Sequence, residues 1–461
     1  MSDSEFSDDI SVQSLSRSGE LAYYAMPESE LQGRDIELFQ RTAPCLPQAS
    51  DAHVENAPDG AASESKARHR LDQIQFLALL FDYFIVGWND GSAGPLIPRI
   101  QSVYNISYMI VSMVFIANCV GYVAGSVLNI KLTDKLGFGK VITLGCLIQS
   151  LGYCIQATAP PFPVFALSYL ATGFGLALQQ AQNNGYVSST RKSERMSILH
   201  AVYGAGALAS PLVATQFAQL RHWSFHYLVS LGISLLNLVV LICVFRLKTM
   251  DECLAQIGLP PGEVSAGGDS KYRQIFTLKA LHILAFFILV YDGIEVTIGG
   301  WIVSYITEVR HGGASSGYIS SGYFGGLMIG RLALLWVSKK IGERRALLLY
   351  VVLAIGLELV VWFVPSLIGG AVAVSLVGLV FGPVYPITMN EARRILPNWV
   401  LTESIGWISG FGATGGALFP FIAGVIASKD GVKTLQPLLV SMMGTMFVLW
   451  TVVPKSRARG D

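Results

Sequence analysis

Charge is what this chain of 461 residues has least of. Asp, Glu, Lys and Arg make up 14% of it, against about 25% in an ordinary soluble domain. That excludes a wetted globular surface over most of the length. Lys plus Arg (32) nearly balances Asp plus Glu (31), and a net charge of +1 offers no basic field to a nucleic acid. Cysteine is scarce too. The six (Cys45, Cys119, Cys146, Cys154, Cys243 and Cys253) show neither metal nor disulfide spacing, and four sit in apolar stretches, where Cys behaves as a small hydrophobe. No metal site and no cofactor are expected. The phosphate-cradling pattern G-x4-G-K-S/T is missing, which excludes direct drive by ATP. No nucleophile–base pair stands out, so the chain does not read as an enzyme. The opening MSDSEFSDD has neither the basic region nor the apolar core of a cleaved signal peptide. Period-2 alternation, the mark of a transmembrane barrel, is absent as well.

What the chain does have is apolar length, with 52% hydrophobic residues. Twelve apolar runs are expected as membrane-crossing helices: 71–98, 107–131, 140–158, 163–187, 197–219, 225–246, 276–307, 315–338, 345–364, 369–391, 402–427 and 434–453. Each is near the roughly 20 residues that span hydrocarbon as a helix. The fold class read from this is an all-α membrane protein of twelve transmembrane helices, held in the lipid bilayer. Residues 1–70 differ in kind, with 13 Asp and Glu against 6 Lys and Arg, and are expected to be a disordered cytosolic tail. The segment 247–275, with Pro260, Pro261 and a Gly-rich run, reads as a cytosolic linker between bundles 71–246 and 276–453. Residues 454–461 form a second cytosolic tail. Lys and Arg gather in alternate loops, while the others hold only Arg99, Arg221, Arg310, Lys429 and Lys433. The positive-inside rule then puts both termini in the cytosol. Asn105-Ile106-Ser107 matches a glycosylation acceptor in an outer loop, tight against the second helix.

The runs repeat. Gly121-x3-Gly125-x8-Asp134-Lys135-x-Gly137 returns about 205 residues later as Gly326-x3-Gly330-x8-Lys339-Lys340-x-Gly342. Gly87-x-Asn89-x4-Gly94 returns as Gly293-x-Glu295-x4-Gly300, Gly206-x4-Pro211 as Gly415-x4-Pro420, and Gly173 as Gly378. Two similar six-helix bundles in tandem imply pseudo-symmetry and a site at the interface of the halves.

Polar residues inside the runs mark that site, because each is costly in lipid. Helix 1 carries Asp82, Asn89 and Asp90; helix 7 carries Asp292 and Glu295. Asn89 and Glu295 are repeat-equivalent and are expected to face each other near mid-membrane. Helix 4 holds Gln179, Gln180, Gln182, Asn183 and Asn184. Of these, Gln179, Gln182 and Asn183 are expected to line a wet cavity and bind substrate together with Asn89. Interhelical hydrogen bonding, worth roughly 0.6–2 kcal/mol each, is the alternative. Asp90, Asp292 and Glu295 are the candidate proton carriers. Tyr291 and Trp301 are candidates for stacking on a sugar face. Arg331 either snorkels to the headgroups or pairs with a helix 1 or helix 7 carboxylate. Pro383 and Pro386 are expected to bend helix 10 at a gate.

These motifs resemble the major facilitator superfamily, within it the fucose:proton symporter branch and its fungal relatives of the bypass-of-stop-codon 6 type. The resemblance covers residues 71–453. It rests on Asp134-Lys135-x-Gly137-x2-Lys140, on Tyr291-Asp292-Gly293-Ile294-Glu295-x3-Gly299-Gly300-Trp301, on Gly330-Arg331, and on Gly382-Pro383-Val384-Tyr385-Pro386. It implies the major facilitator fold and places Asp134 near the cytoplasmic N-terminus of helix 11, whose positive dipole end an acid would latch. The branch's helix 4 acid is replaced here by Gln179, and its helix 1 acid falls at Gly94. Coupling therefore passes to Asp90 or Glu295, or the protein is a uniporter. The function expected is transport of a small, sugar-like polar solute by alternating access, as a monomer in the plasma rather than the vacuolar membrane. Export of an organic metabolite and a non-transporting nutrient receptor are the alternatives.

Overall fold

Runs of apolar residues separated by short polar turns leave the backbone one way to satisfy itself in lipid, which is to bond within each segment. The computed structural model describes residues 59–190, 192–260, 278–396 and 401–454, and helices dominate them. The first half holds α1 (Asp59–Tyr104), α2 (Tyr108–Val111, resuming after Ser112 as Met113–Leu136), α3 (Phe138–Ala157), α4 (Phe162–Ser189), α5 (Ser193–Ala218) and α6 (His226–Phe245). The second holds α7 (Lys279–Val309), α8 (Tyr318–Ile341), α9 (Glu343–Phe363), α10 (Leu367–Phe381 continuing as Val384–Ile395), α11 (Leu401–Asp430) and α12 (Leu435–Val452). Eleven of these spans are long and apolar enough to cross a membrane. The other, α8, is long enough at 24 residues, but serines, glycines and Arg331 dilute its apolarity.

Two boundaries differ from the sequence expectation. Helix α1 begins at Asp59, not near residue 71. Apolarity marks where a helix enters lipid, while the preceding Glu64–Arg70 stretch has good helix formers that carry the turn outward. The linker also contains a short helix, Met250–Gln256, started by a capping box in which Thr249 and Glu252 satisfy each other's backbone N–H groups. Those bonds to Thr249 hold the Glu252 carboxyl below its ordinary range. The rest of the linker from residue 261, residues 1–58 of the tail expected over 1–70, and residues 455–461 of the second tail lie outside the described residues.

The sequence repeat reappears as one set of helix crossings. A Cβ at Gly121 would stand 2.0 Å from the Leu170 carbonyl oxygen, and one at Gly326 would stand 2.1 Å from that of Ser375. Gly173 meets the Asn118 carbonyl at 2.0 Å, and Gly378 meets that of Tyr323 at 2.1 Å. Every partner is displaced by the same 205 positions as the glycines. So α2 crosses α4, and α8 crosses α10, backbone to backbone in the same register. The loop glycines Gly137 and Gly342 correspond likewise, and both hold a positive φ, 81° and 94°, which favours glycine.

Contacts between the halves cluster toward one face, here the far face, opposite the end of α12. Gly94 of α1 abuts the Gly299 carbonyl of α7, at 2.2 Å from a built Cβ. Met109 N donates to Ser428 Oγ at 2.6 Å between α2 and α11. Tyr108 bonds Glu308, and Gln216 bonds Tyr318. Farther along the helices Arg331 Nη1 donates to the His200 carbonyl at 3.4 Å. Among the described residues no hydrogen bond or ring contact joins the halves nearer the other face than this level.

Candidate functional site

The central polar residues sit at the level where those contacts end. A chain of hydrogen bonds runs to it through the first half. Gln179 Nε2 on α4 donates to Gln149 Oε1 on α3 at 2.9 Å. Gln149 Nε2 donates to Tyr153 Oη at 3.0 Å, and Tyr153 Oη donates to Asn89 Oδ1 on α1 at 3.1 Å. Asn89 Nδ2 reaches Asp90 Oδ1 at 3.2 Å, and Tyr203 Oη on α5 donates to Asp90 Oδ2 at 2.9 Å. The second half answers with an ion pair. Arg331 Nη2 on α8 lies 3.6 Å from Glu295 Oε1 on α7, and its guanidinium stands 5.4 Å from the Tyr203 ring centroid. Tyr203 therefore touches an acid of one half and a cation of the other. His200, Tyr83 and Tyr385 surround this point, with the His200 ring 5.4 Å from Tyr83 and 6.1 Å from Tyr385.

Packing holds these groups in place. Gly87 lets the Tyr203 carbonyl come within 1.9 Å of a built Cβ, so α1 and α5 touch where Asp90 and Tyr203 meet. Gly382 lies directly on the Gly330–Arg331 backbone, with a built Cβ 2.5 Å from Arg331 N. That contact falls at the break in α10, between Phe381 and Val384, where Pro383 stands, with Pro386 in the first turn beyond it. Pro383 has no N–H to carry the helix on, so the break bears on the arginine.

The structure sorts the residues expected at the site. Asn89, Asp90, Glu295 and Arg331 come together, and Arg331 takes the carboxylate-pairing option. Tyr291 is buried one turn from Glu295, its Oη 3.4 Å from the Phe381 carbonyl. Asp292 points at α11, where a Cβ at Gly412 would stand 2.0 Å from its Oδ2. The helix 4 amides do not share one wet face, which corrects the expectation. Gln182 Nε2 donates at 2.7 Å to both Asn129 Oδ1 and Thr133 Oγ1 on α2. Asn183 is wholly buried against Asp82. Gln179 is wholly buried too and reaches the centre only through Gln149. At about 100° per residue, neighbouring amides fan out to different helices. Trp301 is also displaced, six residues outward of Glu295, with Nε1 donating to the Pro420 carbonyl at 2.9 Å and its ring 5.6 Å from Tyr108. Asp134 is exposed at the end of α2, with no hydrogen bond or ion pair among the described residues. Asn105 is exposed in the α1–α2 turn at φ 51°. Gln149, Tyr153 and Tyr203 were missed. A lone glutamine inside an apolar run was signal enough for the first; tyrosines in such runs are ordinary packing residues.

Comparison with known proteins agrees with this geometry. The family model of the Major Facilitator Superfamily matches residues 79–420. Bypass of stop codon protein 6 of Saccharomyces cerevisiae is 29% identical over 417 residues, covering 84% of this chain and 83% of that protein. The glucose/mannose transporter GlcP of Bacillus subtilis is 23% identical, covering 78% of this chain and 90% of its own. Among solved structures, a single-residue variant of the E. coli fucose:proton symporter FucP superposes with a TM-score of 0.58 at 14% identity, over 83% of this chain and 99% of that one. A D-xylose-proton symporter superposes at 0.66 with 11% identity, over 83% and 98%.

Proposed function

The chain belongs to the major facilitator superfamily, as a multi-pass membrane protein, and on that premise we propose that it carries a sugar-like polar solute across its membrane by alternating access. The observation that carries the reading is the polar path from Gln179 through Gln149, Tyr153, Asn89, Asp90 and Tyr203 to Arg331 and Glu295. It joins both halves at mid-membrane, where polar groups are otherwise costly. Hydroxyl-rich solutes need such paired donors and acceptors, because a site built for hydroxyl groups leaves them unpaired when an apolar molecule enters. The sugar names of the bacterial relatives support the same substrate class.

The ion pair supports coupling to protons. A proton on Glu295 removes its attraction for Arg331, freeing the arginine to follow the α10 hinge as the halves rock. Asp90, held by Tyr203, and Asp292 are the further proton carriers in this reading. Asp134 would latch the near face against the α11 start, and that face is cytosolic by the lysine and arginine bias, with both termini inside. The plasma membrane is the proposed site, glycosylation at Asn105 facing outward, and transport rather than catalysis the activity.

The experiment is uptake and counterflow of labelled hexoses in a transporter-deficient cell. Glu295→Gln is expected to keep exchange and lose accumulation against a gradient. Accumulation at the wild-type level would remove Glu295 from coupling. Hexose transport by no form of the protein, with a metabolite exported instead, would overturn the substrate class.

A further inference from the structure

Asp82 lies two turns before Asn89 on α1 and takes no part in the central path. It is wholly buried. Its two oxygens meet two amides, Asn183 Nδ2 on α4 and Asn237 Nδ2 on α6, each at 2.5 Å. Behind Asn237 stands Cys146 of α3 at 3.6 Å, which contacts Ser234 of α6, itself 2.8 Å from Ser150 of α3. Every member belongs to the first half. Besides Asp82, Cys146 is the one titratable side chain in this set, and no Lys, Arg or His pairs with Asp82 among the described residues.

The surroundings of Asp82 are at odds with its being ionised. An unpaired charge inside a bundle costs several kcal/mol. The oxygens Asn183 Oδ1 and Asn237 Oδ1 are buried with no hydrogen-bond partner. Amide oxygen and nitrogen are interchangeable in such an assignment. With Asn183 turned round, its oxygen faces the carboxyl, and a single proton between the two satisfies that oxygen and removes the charge, while its Nδ2 takes the oxygen's former place and Asn237 keeps its bonds to Asp82 and Cys146.

We propose that Asp82, Asn183 and Asn237 form a proton-binding site closed inside the first bundle, the proton shared between the Asp82 carboxyl and an amide oxygen. A neutral carboxyl offers one donor and one acceptor, so one amide accepts from it while the other donates to it. The proton is structural. Its ligands come from α1, α4 and α6 of the same half, so rocking of the halves does not open the site. The inference is independent of the transport reading.

The test uses the full-length purified protein. Its infrared spectrum at neutral pH is expected to contain a protonated-carboxyl carbonyl band that disappears in Asp82→Asn. Asparagine reproduces the neutral donor–acceptor pair, so Asp82→Asn should melt within about 2 °C of wild type, while Asp82→Ala, which strands both amides, should fall by more than about 5 °C. Asp82→Asn should also still accumulate substrate, in contrast to Glu295→Gln. A wild-type spectrum without a protonated-carboxyl band overturns the proposal and requires no variant to fold. Stabilisation of the wild type by sodium over choline chloride, lost in Asp82→Asn, also overturns it, because it would assign the site to a metal cation.

Discussion

The two halves share a backbone and differ in how they treat buried polar groups. In the first, many polar side chains are wired to one another: Gln179 to Gln149 to Tyr153, Gln182 to Asn129 and Thr133, Asp82 between two asparagines, though Gln156 keeps both amide atoms unpartnered. In the second, Glu358 on α9 is buried beside Gln436 of α12, yet neither completes a well-formed hydrogen bond among the described residues, and Ser304, Ser320 and Tyr323 also keep unpartnered hydroxyls. The glycines of the α2–α4 and α8–α10 crossings match in register. A repeat thus keeps the positions where a side chain will not fit, and leaves each half free to place its own polar groups. The arginine–glutamate pair arose on one side of the interface, and the amide path that meets it on the other.

The largest test of this comparison is steric. Gly330 and Gly125 are the same position of the repeat, but a built Cβ stands 1.9 Å from the Leu379 carbonyl in the second half and 2.7 Å from the Phe174 carbonyl in the first. Gly330→Ala should cost about 3 kcal/mol or more, at the upper end of overpacking, and Gly125→Ala nearer about 1. The readout is monodisperse yield and melting temperature in detergent. Equal losses would show that α2–α4 and α8–α10 tolerate separation alike.

The next effect is smaller and opposite in sign between the halves. Gln149→Leu removes one hydrogen bond each from Gln179 and Tyr153, which keep the Gly175 carbonyl and Asn89, and should lower stability by about 1–3 kcal/mol. Glu358→Gln removes a carboxylate that lacks good bonds, so its melting temperature should hold or rise. A drop as large as that of Gln149→Leu would mean that Glu358 is satisfied in a way the second half conceals.

The smallest effect concerns the near face. A charge at a helix terminus contributes about 0.3–1 kcal/mol, so Asp134→Asn should shift the inward-open share by roughly 2- to 5-fold. Maleimide labelling of single cysteines introduced beside Tyr385 should rise accordingly. Labelling unchanged at equal expression would reduce Asp134 to a surface charge.

Much of the architecture was legible in the chain because it depends on local quantities. Apolar length sets the spans, and Gly137 and Gly342 announce their turns because few other residues adopt a positive φ. The site was legible in part. Asn89, Asp90, Glu295 and Arg331 stood out because charge and amide in lipid need a reason. Tyr203 did not, because an aromatic ring in an apolar run looks the same whether it packs or bridges. The helix 4 amides were visible as a group but not as individuals. Their period along the helix is known from sequence, while the helix each one meets is not.

By itself, then, the sequence determined that this is a two-fold repeated bundle of membrane helices with polar residues at its waist, since hydrophobic length and repeat spacing are properties of the chain alone. Only the tertiary structure decided that Gln182 and Asn183 bind neighbouring helices, that Trp301 serves the far-face seam, and that Arg331 meets Glu295 above the glycine seat at the α10 break. Those outcomes depend on which faces of separate helices meet, and on angles and separations set by side chains far apart in the chain.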